Sequence, residues 1–381
     1  MRLPLLAMLG AAAFAGQAAA QDTIKIGVTQ PLTGAFAASG NYVAQGAKIA
    51  EDEINKAGGV LGKKIQLVVE DNKSNPTEAV ATIEKLVVKD KVPVVMGAWS
   101  STLTLAVMPK LEEYEIPMLV ETSSSGKITT SGNPYVFRIS PTSEMEAKAF
   151  QPLVAKLGIK KADFLNTNND FGIGSAQEFS KMLKENGVTV GVMETMDPKA
   201  TDFSAQLTRI KASGGDALFV TTAVEQVTLI MKQAKDQRLE HQIITTGGSN
   251  SPDQVAQQAG DAANGSMHTV FFPPWFPEVT RHPEVSKRYM DEWAARGHHV
   301  GGLTEGFRGY DGIRTIVEAI KLAGKAEASA IKDALWKVKL DGVYGDIAFA
   351  KQGPAGKESG QSTPSVYLVK IEGGKVVKTQ F

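Results

Sequence analysis

The chain is 381 residues long, carries 41 Lys+Arg against 41 Asp+Glu, and has no cysteine. Balanced charge with no basic, aromatic-interleaved stripe argues against a nucleic-acid partner, and the missing cysteines exclude a disulfide framework. At 43% hydrophobic residues the chain can bury substantial cores, and its length points to two domains.

The first residues read as an export signal. Met1-Arg2-Leu3-Pro4 is a short basic start, Leu5 to Phe14 is apolar, and Ala18-Ala19-Ala20 is a small-residue cleavage site. Residues 1–20 are therefore expected to be removed, with Gln21 the mature start. The apolar part is too short to span a bilayer, and no later segment supplies about 18 uninterrupted apolar residues. No cysteine follows the cleavage site to carry a lipid, so the expected location is the periplasm.

The mature chain alternates strand and helix signals. Ile24 to Val28 begins a strand, and a helix follows from about Asn41 to Lys56, with Val43, Ala47, Ala50 and Ile54 on one face. Gly58-Gly59 stops it before a strand at Ile65 to Val69. Asn75-Pro76-Thr77-Glu78 carries the acceptor, the first-turn proline and the acid that open a helix. The apolar run Val92 to Met96 then ends in Gly97-Ala98-Trp99-Ser100-Ser101, ahead of a helix over 102–113. Ile116 to Val120 likewise ends in Glu121-Thr122-Ser123-Ser124-Ser125. Hydroxyls and free backbone N–H groups at strand carboxyl ends are where open α/β sheets bind ligands, above all anions. The alternative is an ordinary loop in which Ser101 serves only as an N-cap.

The pattern restarts after Tyr135 to Arg138. A capping box at Ser143-Glu144-Met145-Glu146 opens a helix; a strand over 162–166 leads to Asn168-Asn169-Asp170-Phe171-Gly172 and a further helix. Strand signals recur at 188–192, 217–221, 243–245 and 267–272. The prolines of Phe271-Phe272-Pro273-Pro274-Trp275-Phe276-Pro277 interrupt regular structure. Helices over about 283–296, 304–323 and 329–337 follow, then strands at 345–349 and 365–371 and a hairpin turn at Gly373-Gly374. The fold class expected is α/β: two doubly wound, mostly parallel-sheet lobes joined by a three-segment hinge. The boundaries expected are 21–141 plus 272–352 for the first lobe and 142–271 plus 353–381 for the second.

These motifs, in this order, resemble the type I periplasmic substrate-binding proteins of ABC transporters, in the leucine/isoleucine/valine-binding group. The residues that carry the resemblance are the Ile26–Gly34 strand and loop, Gly46-Ala47 through Gly58-Gly59, and Gly97 with Ser100-Ser101. Asn169-Asp170-Phe171-Gly172 and Thr201-Asp202-Phe203 complete the set. The resemblance implies a monomer whose lobes close on a small-molecule ligand and deliver it to membrane permease subunits. It implies that Ser101 meets a ligand carboxylate, that Thr122 and Ser124 add a carbonyl and a hydroxyl, and that Phe171 covers the ligand. Trp99, Ser100 and Ser123 share these loops; Trp99 either stacks on a planar ligand or packs half-buried.

The chain also departs from the group's pattern. The first-loop tyrosine position falls near Ser39, the second-lobe tyrosine at Ala223, and the acid that faces the ligand's amino group at Gly247. Glu121, Glu225 and Asp170 are the acids available nearby. Two ligand classes stay open: a branched-chain or other apolar amino acid, and an aromatic or keto acid without an amino group. An exported ligand-sensing protein is the alternative to transport. Enzyme signatures are weak: Gly172-Ile173-Gly174 lacks a third glycine, no Gly-x-Ser-x-Gly elbow occurs, and His298-His299 reads as a solvated turn. No catalytic residue, metal or cofactor is expected.

Overall fold

The computed structural model describes residues 23–379; the expected signal peptide lies outside them. The first half runs β1 (Ile24–Gln30), α1 (Ala37–Lys56), β2 (Ile65–Asp71), α2 (Pro76–Glu84), β3 (Val95–Met96), α3 (Ser101–Glu113), β4 (Met118–Val120), α4 (Lys127–Thr130) and β5 (Val136–Arg138). The second runs α5 (Ser143–Leu157), β6 (Lys161–Thr167), α6 (Asp170–Glu185), β7 (Thr189–Met196), α7 (Ser204–Ser213), β8 (Ala217–Thr221), α8 (Val224–Asp236), β9 (Gln242–Thr246), α9 (Pro252–Ala259) and β10 (Met267–Val270). The chain then continues through α10 (Pro283–Ala295), α11 (Leu303–Ala323), α12 (Ala328–Leu335), β11 (Leu340–Gly342), β12 (Gly345–Ile347), β13 (Ala350–Gln352), β14 (Ser359–Gln361), β15 (Tyr367–Glu372) and β16 (Lys375–Lys378).

Two seven-stranded sheets result, in the orders β13-β14-β5-β4-β3-β1-β2 and β16-β15-β10-β9-β8-β6-β7. Their inner strands are parallel, as βαβ crossovers require; the late additions β13 and β15 run antiparallel to them, and β16 turns back against β15. Strands buried on both faces, such as Ala217–Thr221, read as unbroken apolar runs for that reason.

The last helices cover the first sheet. Phe307, Ile313 and Ile316 of α11 share a core with Ile26 and Val28 of β1. Helix α11 lies directly on α1, so close that a Cβ on Gly46 would sit 1.7 Å from the Gly306 carbonyl oxygen. The chain therefore leaves the first sheet after β5 and returns after β10. Its third crossing differs from the sequence expectation. Residues 353–361, assigned there to the second lobe, belong to the first sheet, because β14 pairs in parallel with β5. The buried Gln361 side chain fixes that strand: it accepts from Arg138 Nε at 2.7 Å and donates to the Ser140 carbonyl at 2.9 Å. The crossing falls between Gln361 and Tyr367.

Candidate ligand-binding cleft

The carboxyl ends of both sheets face one another across a cleft. On the first lobe, β3 gives way to Trp99, a non-glycine residue at φ 69°. That left-handed conformation costs on the order of 1–2 kcal/mol, and the indole it carries stands against the Phe36 ring, centroids 4.9 Å apart and tilted 32°. Helix α3 then starts with Ser100 as its N-cap residue, and no side chain caps it. The N-cap role that the sequence offered as the alternative for Ser101 is thus not the one it plays. Its hydroxyl oxygen instead accepts from the Ser125 N–H at 3.1 Å, joining the two hydroxyl loops. Ser123 donates to the Trp99 carbonyl at 3.0 Å and pairs with Thr104 at 2.8 Å. Ser124 accepts from Ser143 at 3.3 Å.

On the second lobe, the Asn169 side chain caps α6 by accepting from Gly172 N–H at 2.9 Å, which places Phe171 in the first turn, over the cleft. Ala223 stands at the N-cap position of α8. Gly247 follows β9 at φ 91°, and a Cβ there would lie 2.3 Å from Phe171 Cζ. Glycine is required at this position twice over, by backbone angle and by the ring packed on it.

All nine residues singled out in the sequence line one cavity: Trp99, Ser100, Ser101, Thr122, Ser123 and Ser124 from the first lobe, with Phe171, Ala223 and Gly247 from the second. Four more line it that the sequence reading did not select, namely Phe36, Thr167, Asn169 and Ser249. Phe36 corrects one expectation. The first loop does supply an aromatic ring, three residues before Ser39, whose own hydroxyl is buried elsewhere without a partner among the described residues. The cue lay in Gly34-Ala35-Phe36, an aromatic directly after a strand-end loop. Among the described residues, none of the side chains lining the cavity is charged.

The three acids weighed as ammonium partners stand outside that lining. Asp170 meets Thr102 across the cleft, with Thr102 Oγ1 donating to its carboxylate at 2.9 Å. Glu121 lies fully buried behind Thr122 and accepts from Gln30 Nε2 at 2.9 Å; burial lifts its carboxyl to about 7, against the pull of that hydrogen bond. Glu225 is also raised by burial. Two acids not singled out as site residues support the walls. Glu146 accepts from Gly247 N–H at 2.7 Å and is raised by burial to about 7, and Glu305 accepts from Trp99 Nε1–H at 3.4 Å.

A cavity of hydroxyls, an uncapped helix start and three aromatic rings, closed between two α/β lobes, defines a small-molecule binding protein. The family model for periplasmic binding proteins matches residues 23–375. The chain belongs to that family, in its leucine/isoleucine/valine-binding group of type I substrate-binding proteins of ABC transporters. It is 30% identical over 364 residues to the Leu/Ile/Val-binding protein BraC3 of Rhizobium johnstonii, covering 95% of each chain. Among solved structures it resembles the branched-chain amino acid substrate-binding protein LivJ of Streptococcus pneumoniae in complex with isoleucine, at 28% identity, a TM-score of 0.81, and 93% and 98% of the two chains. It is similar too to a solute-binding protein of Rhodopseudomonas palustris in complex with 3,4-dihydroxy benzoic acid, at 26% identity, a TM-score of 0.79, and 92% and 93% of the two chains.

Proposed function

We propose that this protein works in the periplasm after export, captures a small apolar carboxylate in the cleft, and delivers it to the permease of an ABC importer. The observation that carries the reading is the convergence of Ser100, Ser101, Thr122 and Ser124 on the uncapped start of α3, opposite Phe171. Hydroxyls and backbone N–H groups at a helix N-terminus solvate a carboxylate without an arginine, since hydrogen bonds to an ionised acceptor are the stronger kind. Phe36, Trp99, Phe171 and Ala223 meet the apolar body of the ligand. A branched-chain or other apolar amino acid agrees with what the similar proteins are named for.

A second reading has its own support. An ammonium group buried in this cavity meets no carboxylate among the lining side chains, and an unpaired buried charge is costly. An aromatic or keto acid avoids that cost, and the Phe36–Trp99 pair presents ring faces to a planar body. A thermal-shift series with leucine, isoleucine, the matching keto acids and benzoate separates the two. Stabilisation by the amino acids alone rules out the second reading; stabilisation by the keto acids or benzoate alone rules out the first. For the transport role, a deletion strain that takes up the bound compound normally would contradict the proposal.

A further inference from the structure

Three buried carboxylates each hold one wall of the cavity from behind. Glu121, at the end of β4, accepts from the Thr122 hydroxyl at 3.3 Å. Glu146, on α5, accepts from the Gly247 N–H at 2.7 Å. Glu305, on α11, accepts from the Trp99 indole N–H at 3.4 Å. Thr122 and Trp99 stand on the first lobe and Gly247 on the second. None of the three acids is more than 1% exposed, so each has given up its water and all are of like sign. Once ionised, such a group is stable only if a counter-charge is buried with it.

One buried cation acts on all three, through its charge rather than through hydrogen bonds: Arg308 Nε and Nη1 have no hydrogen-bond partner among the described residues. Arg308, one turn beyond Glu305 on α11, is 0% exposed, and its charge favours the ionised form of each acid. Its Nε lies 3.4 Å from Glu305 Oε2. Its Nη2 donates to the Gly248 carbonyl at 2.8 Å, and its guanidinium carbon lies 5.3 Å from the centroid of the Phe271 ring at the second crossing. A side chain rooted in the first lobe therefore grips the Gly247-Gly248 turn of the second through the Gly248 carbonyl. Other titratable groups stand close by: Glu225 adds its like charge to burial in opposing the ionised form of Glu305, and burial, with Asp311 and Glu305 adding to it, keeps the Tyr289 hydroxyl protonated. Tyr344 donates its hydroxyl to the Glu121 carbonyl at 2.7 Å. Asp311 is already answered by Arg314 at 3.1 Å and by the Tyr344 N–H at 2.9 Å. None of these groups supplies a second cation to the three acids.

We propose that Arg308 is the positioning residue of the cavity: the shared counter-charge that keeps Glu121, Glu146 and Glu305 where they set Thr122, Gly247 and Trp99 around a ligand, coupling the walls of the two lobes without touching the ligand. The proposal rests on the cavity being the ligand site, and its first readout does not depend on any ligand. Arg308→Met keeps the length of the stem and removes the charge; Arg308→Lys restores the charge. In ligand-free protein, the unfolding midpoint of Arg308→Met should fall far more at about pH 8, where Glu121 and Glu146 are ionised, than at about pH 6, where their protonation removes the need for a partner. Arg308→Lys should recover most of that loss. Affinity for whichever of leucine or benzoate the native protein binds should drop about tenfold or more in Arg308→Met at the higher pH, and much less at the lower.

A midpoint lowered equally at both pH values, with no recovery by lysine, would mean that Arg308 only fills space, and the proposal would be wrong. If Arg308→Met does not fold at the higher pH, adding Glu146→Gln should restore folding by removing an unanswered charge; failure at both pH values with no such rescue also overturns it. Should the native protein bind neither leucine nor benzoate, the ligand reading fails, while the midpoints still decide the role of Arg308.

Discussion

Thr102 and Asp170 hold each other across the cleft: the Thr102 hydroxyl donates to the Asp170 carboxylate at 2.9 Å, and its oxygen accepts the Asp170 N–H at 3.2 Å. Each residue stands in the first turn of a helix, Thr102 in α3 and Asp170 in α6. The reciprocal pair thus ties together the two helix starts nearest the cavity. Replacing Thr102 by Val keeps the shape and removes both bonds, a change worth about 0.5–1.5 kcal/mol each when partly buried. Stopped-flow measurement should find ligand leaving several-fold faster with the association rate little changed. An unaltered dissociation rate would show that the pair does not hold the closed form. The neighbouring Lys127, whose ammonium lies 3.8 Å from Asp170 and whose side chain is 73% exposed, should be replaceable by Ala with an effect of at most about twofold, as solvent screens such pairs.

Under the proposed function Ser101 has two tasks, and they separate experimentally. Its oxygen accepts the Ser125 N–H, and its hydroxyl faces the cavity. Ser101→Ala should weaken carboxylate binding by roughly 1–3 kcal/mol, the range for losing a hydrogen bond to a charged group. The freed Ser125 N–H should also lower the unfolding midpoint of the ligand-free protein slightly. A lowered midpoint with native affinity would leave Ser101 a purely structural link between the two loops.

Gly247 tests how the second lobe fits over the ligand. A methyl group there meets Phe171 Cζ at 2.3 Å and sits on a backbone at φ 91°. Gly247→Ala should therefore displace the ring and strain the turn, costing on the order of 1–3 kcal/mol in stability and a larger fraction of the affinity. Calorimetric titration beside a melting curve distinguishes the two losses. The companion change Phe171→Ala should relieve the clash without restoring binding; restored binding would mean that the ring does not cover the ligand.

The buried acids give stability an unusual pH dependence. Glu121 and Glu146 stand at about 7 in the fold against 4.5 when free, chiefly through burial. Between those values the folded chain holds protons that the unfolded chain has released, so stability falls as pH rises through the window and levels off above about 7. His268 acts in the opposite sense. Burial lowers it to about 3 from 6.5, so its neutral form costs stability as pH falls below 6.5. Glu225, Asp253, Glu305 and Asp311 are raised by burial as well, and His298 is lowered by it, so the acids outweigh the imidazoles and leave a net gain on acidification down to about 4.5, on the order of a few kcal/mol. Below that the gain ends, and acids held ionised by backbone N–H groups, such as Asp216, begin to lose their partners. Melting midpoints of ligand-free protein should peak near about pH 5, and Glu146→Gln should flatten the slope above it. A midpoint rising steadily from about pH 6 to 8 would contradict this.

Much of the architecture is legible in the residue pattern because its elements are long and periodic. The helix expected over 283–296 runs Pro283–Ala295, and the one expected over 304–323 runs Leu303–Ala323. The hydroxyl loops were legible for a topological reason: they follow apolar runs, and strand carboxyl ends in such sheets converge on one site. What escaped has physical causes. Helix α1 begins at Ala37, four residues before the start expected at Asn41, and that earlier start is what places Phe36 at the cavity. Strands β13 and β14 are short and joined through Gly353-Pro354, with β13 wholly exposed, so nothing in their sequence marks them as sheet. Glu305 and Arg308 sit on a helix whose charges would ordinarily face water; only the packing of α11 into the hinge region buries them.

The most direct test is a calorimetric titration of the protein with each acid beside its amide: leucine beside leucinamide, and benzoate beside benzamide. If Ser101, Thr122, Ser124 and the start of α3 solvate a carboxylate, at least one acid binds, and its amide binds at least about a hundredfold more weakly, the equivalent of about 2.8 kcal/mol. An amide that binds as tightly as its acid would contradict the account.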